Sequence, residues 1–177
     1  ALPAPRHDLV FDRLASTWDE GIPLGNGMIG ALVWKKGDAL RMSLDRADLW
    51  DLRPVAEFSG SEFRFAWVRD QVLKNDYKPV HRMGDVPYDR DPAPTKIPAA
   101  ALDISGLGDV ESVRLSVAEA VCRVRWKNGA RLTVFVHAAE PVGWFQFEGW
   151  PAGKRPKLVP PAYAAPSSGA DGAPNSL

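Results

Sequence analysis

Apolar and polar positions alternate with a period of two through most of the chain, the pattern of strands with one buried face. The clearest stretch is VCRVRWKNGARLTVFV, residues 121–136, two alternating runs about an Asn-Gly pair. A two-residue Asn128-Gly129 loop would set Trp126 opposite Arg131 and Val124 opposite Thr133, mixing apolar and polar positions on each face. A three-residue loop, Lys127-Asn128-Gly129, sets Val124 opposite Leu132 and Cys122 opposite Val134. The faces then separate, and Gly129 falls where a type I turn with a bulge needs a left-handed residue. The three-residue loop is therefore predicted. It leaves Arg125 opposite Arg131, a mild cost unless an acid lies nearby.

A second hairpin is predicted where MIGALVWK and ALRMSLD flank Lys36-Gly37-Asp38. A Gly37-Asp38 turn pairs Val33 with Met42 and Ala31 with Leu44. The first strand's other face carries Met28, Leu32 and Trp34, so this strand is expected between two packed layers. Further strands are expected at Ala101–Ile104, Val113–Val117 and Val142–Glu148. One short helix is expected between Glu62 and Asn75, with Phe65, Val68 and Val72 on one stripe, Phe63 and Trp67 beside it, and Ser61 as N-cap. Pro79–Pro98 reads as a long ordered loop. The expected organisation is a mainly β, antiparallel β-sandwich over residues 1–150, followed by a Pro/Ala/Gly/Ser-rich linker or tail at 151–177.

Composition narrows the function classes. The 177 residues carry 22 basic and 22 acidic side chains, with no long run of either sign. That speaks against a nucleic-acid partner and a polybasic membrane anchor. The longest apolar runs fall far short of the ~20 residues needed for a helical membrane span. The single cysteine, Cys122, permits no internal disulfide, and three scattered histidines make a Cys/His metal site unexpected. No cofactor is expected. The opening ALPAPR has the small-residue look left by signal-peptide removal, giving an expectation of a periplasmic or secreted protein.

Two short stretches raise chemistry. In LGNGMIG, Gly25, Gly27 and Gly30 bracket Asn26. A dinucleotide-binding loop would need a helix after it, and a phosphate loop a Lys-Ser or Lys-Thr pair; here a strand follows. The favoured reading is a glycine-rich entry into a buried strand, where another segment comes close. In SLDRADLWDLRP, Asp45, Asp48 and Asp51 gather near Trp50. Paired carboxylates serve glycoside hydrolysis or cation binding; the plainer reading is a turn whose Asp side chains bond local backbone. His137 reads as a strand-end residue, and no nucleophilic triad is present. Trp18, Trp50, Trp144 and Trp150 are either core or sugar-stacking residues.

The order of the early residues resembles a known domain. Trp18, Glu20, Pro23-Leu24-Gly25-Asn26-Gly27, Gly30-Ala31, Ser43-Leu44-Asp45 and Asp48-Leu49-Trp50 resemble the N-terminal β-sandwich of glycoside hydrolase family 95, the α-L-fucosidase-like enzymes. That family typically opens W-x-E-A-x-P-x-G-N-G-x-x-G and continues L-N-E-D-x-x-W. The stretch TKIPAAALDISG and the hairpin region after it are similar to the later meander of that domain, so the resemblance runs from about Leu9 to Glu148. Here Asp45-Arg46-Ala47 replaces the family's Asn-Glu pair. The resemblance implies a super-sandwich, complete or cut short, and a partner in the same protein, the catalytic (α/α)6 barrel. Because the family's catalytic residues lie on that barrel, none is carried over, and the chain alone is expected to be inactive.

The residues expected at the substrate cleft or the interdomain surface are Trp18, Glu20, Asn26, Asp45, Asp48 and Trp50. Gly25, Gly27, Gly30 and Gly129 are expected as structural turn glycines. The alternatives are a free-standing carbohydrate-binding sandwich using exposed Trp, and a structural module without a ligand.

Overall fold

The computed structural model describes residues 2–90 and 93–161. Among these described residues twelve strands and two α-helices follow in chain order: β1 (Leu9–Phe11), β2 (Ile22–Gly25), β3 (Ile29–Lys36), β4 (Ala39–Arg46), β5 (Trp50–Asp51), α1 (Phe65–Leu73), α2 (Lys78–Arg90), β6 (Thr95–Lys96), β7 (Ala100–Ile104), β8 (Val110–Ser116), β9 (Val121–Trp126), β10 (Arg131–Val136), β11 (Gly143–Glu148) and β12 (Lys157–Val159). They divide into two compact units. The first holds the residues up to Asp48 and Pro98–Pro161; the second is Leu49–Ile97. The division falls inside the stretch read above as one domain.

The first unit is an antiparallel β-sandwich. One sheet has the order β1-β8-β9-β10-β11, the other β12-β7-β4-β3-β2. Alternate residues of both sheets meet in one core, with Met42, Val113, Cys122, Val124 and Leu132 fully buried. That is what period-two patterning requires of two amphipathic sheets.

Both predicted hairpins form in the predicted register. Val124 pairs with Leu132 and Cys122 with Val134. The Lys127-Asn128-Gly129 loop closes with Gly129 N–H donating to Trp126 O at 2.9 Å, and Gly129 has φ +91°. Arg125 does face Arg131, but each has its own carboxylate, Glu111 at 3.5 Å and Glu148 at 3.6 Å. In the other hairpin Val33 pairs with Met42 and Ala31 with Leu44.

The second face of β3 is covered only in part. Trp34 is buried and its Nε1 donates to Ser43 Oγ at 2.9 Å. Leu32 lies so close under Gly21 that a Cβ there would stand 2.7 Å from Leu32 Cγ. Met28, in the turn before β3, stays 44% exposed. Beside Trp34 on this face, the buried Arg41 forks onto Asp103 of β7, with both bonds at 2.7 Å.

The second unit corrects two expectations. The described residues hold two α-helices, not one. Pro79–Pro98 is not all loop, because α2 occupies its first half. Pro79 sits in the first helical turn, where its missing N–H has no partner to lose. Val80 and Pro87 are buried, while His81 and Asp85 pair across one exposed turn at 2.7 Å. Arg90 ties the end of the helix to Glu57 of a 3-10 turn at Ala56–Ser59. The first helix starts later than predicted, at Phe65, and its cap is Arg64 rather than Ser61. Phe63 is held outside it by stacking on Phe58, ring centres 4.6 Å apart, and residues 60–64 turn too tightly to be helical.

Within the expected linker, Lys157–Val159 forms β12 on the edge of the second sheet, against β7. Residues 162–177 of that stretch lie outside the described residues.

Candidate functional site

The glycine-asparagine stretch is a tight turn between two strands. Gly25 pairs with Gly30, and Asn26 N–H donates to Ile29 O at 3.2 Å. Gly27 adopts φ +89°, the left-handed region that favours glycine. Gly25 is fixed by a close approach, since a Cβ there would stand 3.1 Å from Ile29 O; at Gly30 the nearest atom would be 3.6 Å away, an ordinary contact. The crowding comes from within the hairpin.

Asn26 uses all its polar capacity. Its Oδ1 accepts from Met28 N–H at 2.9 Å and Ile29 N–H at 3.0 Å. Its Nδ2 donates to His137 O at 2.8 Å and Glu140 O at 3.0 Å. The turn of one sheet is thereby pinned to the β10–β11 loop of the other. His137 organises that loop in turn, its Nδ1 accepting from Glu140 N–H at 2.9 Å. An amide has two donors and two acceptor sites, so this side chain is a bolt between the sheets.

Asp45 faces Gly30 across the β3–β4 ladder, and its Oδ1 accepts from Arg46 N–H at 2.7 Å. Asp48 is gripped by Arg46, at 2.7 and 3.1 Å. By register, Asn26, Asp45 and the glycines share one end of the sandwich. Trp50 belongs to the second unit, on β5, and is 49% exposed; its neighbour Asp51 is buried and held by Arg53 at 2.7 Å.

Trp18 and Glu20 form a 3-10 turn ahead of β2, toward the opposite end of the sandwich. Gly129 is at that end too. The ends are separated by the eight residues of β3, roughly 25 Å at ~3.3 Å per residue. The expected site residues are thus split between the two ends and the second unit. Glu20 lines a groove of about 670 Å³ between the β3–β4 and β9–β10 hairpins.

Sequence reasoning missed three polar anchors. Asp8, with only 5% of its side chain exposed, accepts from Arg114 at 2.7 Å and from Val117 N–H at 3.0 Å. The Arg114 guanidinium first, then the Val117 N–H, hold its carboxyl below the ordinary carboxylate value. Arg41–Asp103 and the cross-sheet bonds of Asn26 are the other two. Burial pushes the Cys122 thiol up to about 12, so it packs as an apolar group. Among the described residues no group of three or more His, Cys, Asp or Glu is placed to hold a metal ion, and no helix is long and apolar enough to cross a membrane.

What the fold and these residues define is an antiparallel β-sandwich module in which Asn26, Asp45 and Asp48 are engaged by neighbouring groups of the same chain. Residues 9–149 match the family described as glycosyl hydrolase family 65, N-terminal domain, and the chain belongs to that family. It is thus the N-terminal domain of a glycoside hydrolase. No functionally curated protein matches the chain.

Proposed function

We propose that this chain is the non-catalytic N-terminal domain of a fucosidase-like glycoside hydrolase, packed against a helical-barrel catalytic domain and walling one side of its glycan cleft. The observation that carries the reading is the family match over residues 9–149. Large apolar side chains left in solvent support a packing role, although they form no single patch: Trp18 at one end of the sandwich is 56% exposed, Met28 at the other end 44%, and Trp50 of the second unit 49%. The fucosidase-like refinement rests on the order Trp18, Glu20, PLGNG and Asp48-Leu49-Trp50.

The reading is tested by assaying the 177-residue chain, and the protein encoded by the complete reading frame, on aryl α-L-fucoside and aryl α-D-glucoside. The chain should turn over neither substrate, and the complete protein should prefer the fucoside. Turnover by the chain alone would sink the non-catalytic assignment. A preference for the glucoside would remove the fucosidase-like refinement.

One observation favours a second reading, a free-standing carbohydrate-binding module. On the outer face of β10 and β11, Phe135 and Trp144 lie parallel within 14° at 6.5 Å, and Trp144 is 58% exposed. Such an aromatic ledge suits the flat face of a sugar.

A further inference from the structure

The groove beside Glu20 has a composition of its own. Its floor is apolar, made by Leu14, Leu40 and Trp126. Its rim carries three acids, Glu20, Asp38 and Asp109, and three bases, Arg13, Lys35 and Lys127. Lys127 and Asp109 satisfy each other at 3.1 Å. Glu20, Asp38 and Lys35 make no side-chain bond among the described residues, and Ser16 adds a hydroxyl beside them. A second hollow of about 290 Å³ shares Arg13, Ala15 and Glu20 with the first and is lined also by Asp12 and by Phe11, a residue 45% exposed. Glu20 therefore stands at the junction of an elongated trough.

The charge balance selects the ligand. An anion would meet four carboxylates, Asp12 of the second hollow included, and a cation three positive side chains. A neutral ligand rich in hydroxyls fits, because each hydroxyl both donates and accepts. Carboxylates at Glu20 and Asp38 accept, the Lys35 ammonium donates, and the apolar floor and Phe11 receive C–H faces. The combined size lies in the range of small-ligand sites. We propose that this trough is a non-catalytic binding site for a neutral oligosaccharide of two or three units. The choice of saccharide over other polyols rests on membership of a glycoside hydrolase family; the placement of the site rests on the residues named.

The test is calorimetric titration of the 177-residue chain with maltotriose, cellotriose and 2′-fucosyllactose. At least one should bind with a Kd of about 1 mM. Glu20→Gln, Asp38→Asn and Lys35→Met should each weaken it about 5- to 10-fold, as loss of a charged hydrogen-bond partner does. All three side chains are exposed, so the variants should melt with the parent chain. Trp144→Ala should leave affinity unchanged. Absence of binding by all three sugars would overturn the site. So would binding lost in Trp144→Ala and kept in the three rim variants, or binding competed equally by inorganic phosphate. A complete protein without glycosidase activity would defeat the proposed function and leave this titration to be decided separately.

Discussion

Asn26 shows how much one side chain can carry when every polar atom is used. Deleting it strands two N–H groups in the turn and two carbonyls in the β10–β11 loop. The site is half-buried, so water recovers part of the loss. Asn26→Ala should destabilise the first unit by about 1–3 kcal/mol, read by urea denaturation. Asn26→Asp is the sharper probe. It keeps the acceptor for Met28 and Ile29 but points carboxylate oxygens at the carbonyls of His137 and Glu140, so it should cost at least as much as alanine. Equal stability of the aspartate variant and the parent chain would show that the cross-sheet bonds contribute nothing. A substrate-contact role would instead leave stability intact and weaken sugar affinity.

At the level of elements, β1 depends on one carboxylate. None of Leu9, Val10 and Phe11 is buried, so the strand is held by its ladder to β8 and by Asp8 on Arg114 and Val117. Because the folded state lowers the Asp8 pKa from 3.8, ionised Asp8 favours the folded strand. That contribution is fully present above about pH 4–5 and is lost as pH falls through the lower, folded-state value. Amide resonances of β1 should shift toward exchange-broadened positions below about pH 4 while β9 and β10 hold. In Asp8→Asn the change should already be present at pH 7. An acid titration with β1 unmoved until the whole sandwich melts would count against this account. Both hairpins were legible because strand period and turn geometry are local: Gly129 and the Gly37-Asp38 turn each allow one register that keeps the faces apart. The second helix was not, since Pro79 and Pro87 read as breakers, although the first costs nothing in an opening turn. Nor was the function of Asn26, whose two carbonyl partners lie 111 and 114 residues away. The Arg41–Asp103 fork spans 62 residues, with no local signal to announce it.

For the whole molecule, the question is what the exposed aromatic side chains are for. The core is already complete without Trp18, Trp50 and Trp144, each about half exposed. A sandwich that serves a catalytic partner should lose solvent at some of them once that partner is present. The proposed assembly assigns Trp18 and Trp50 to the interdomain surface and leaves Trp144, on the outer face of the first sheet, in solvent. Fluorotryptophan labelling separates them. In the isolated chain all three fluorine resonances should respond to exchange of H2O for D2O. In the protein encoded by the complete reading frame, the Trp18 and Trp50 resonances should lose that response and Trp144 should keep it. Loss at Trp144 with Trp18 and Trp50 unchanged would place the partner on the outer face of β10 and β11. No change at any of the three would argue that the sandwich stands free, and would favour the module that binds sugar on its own.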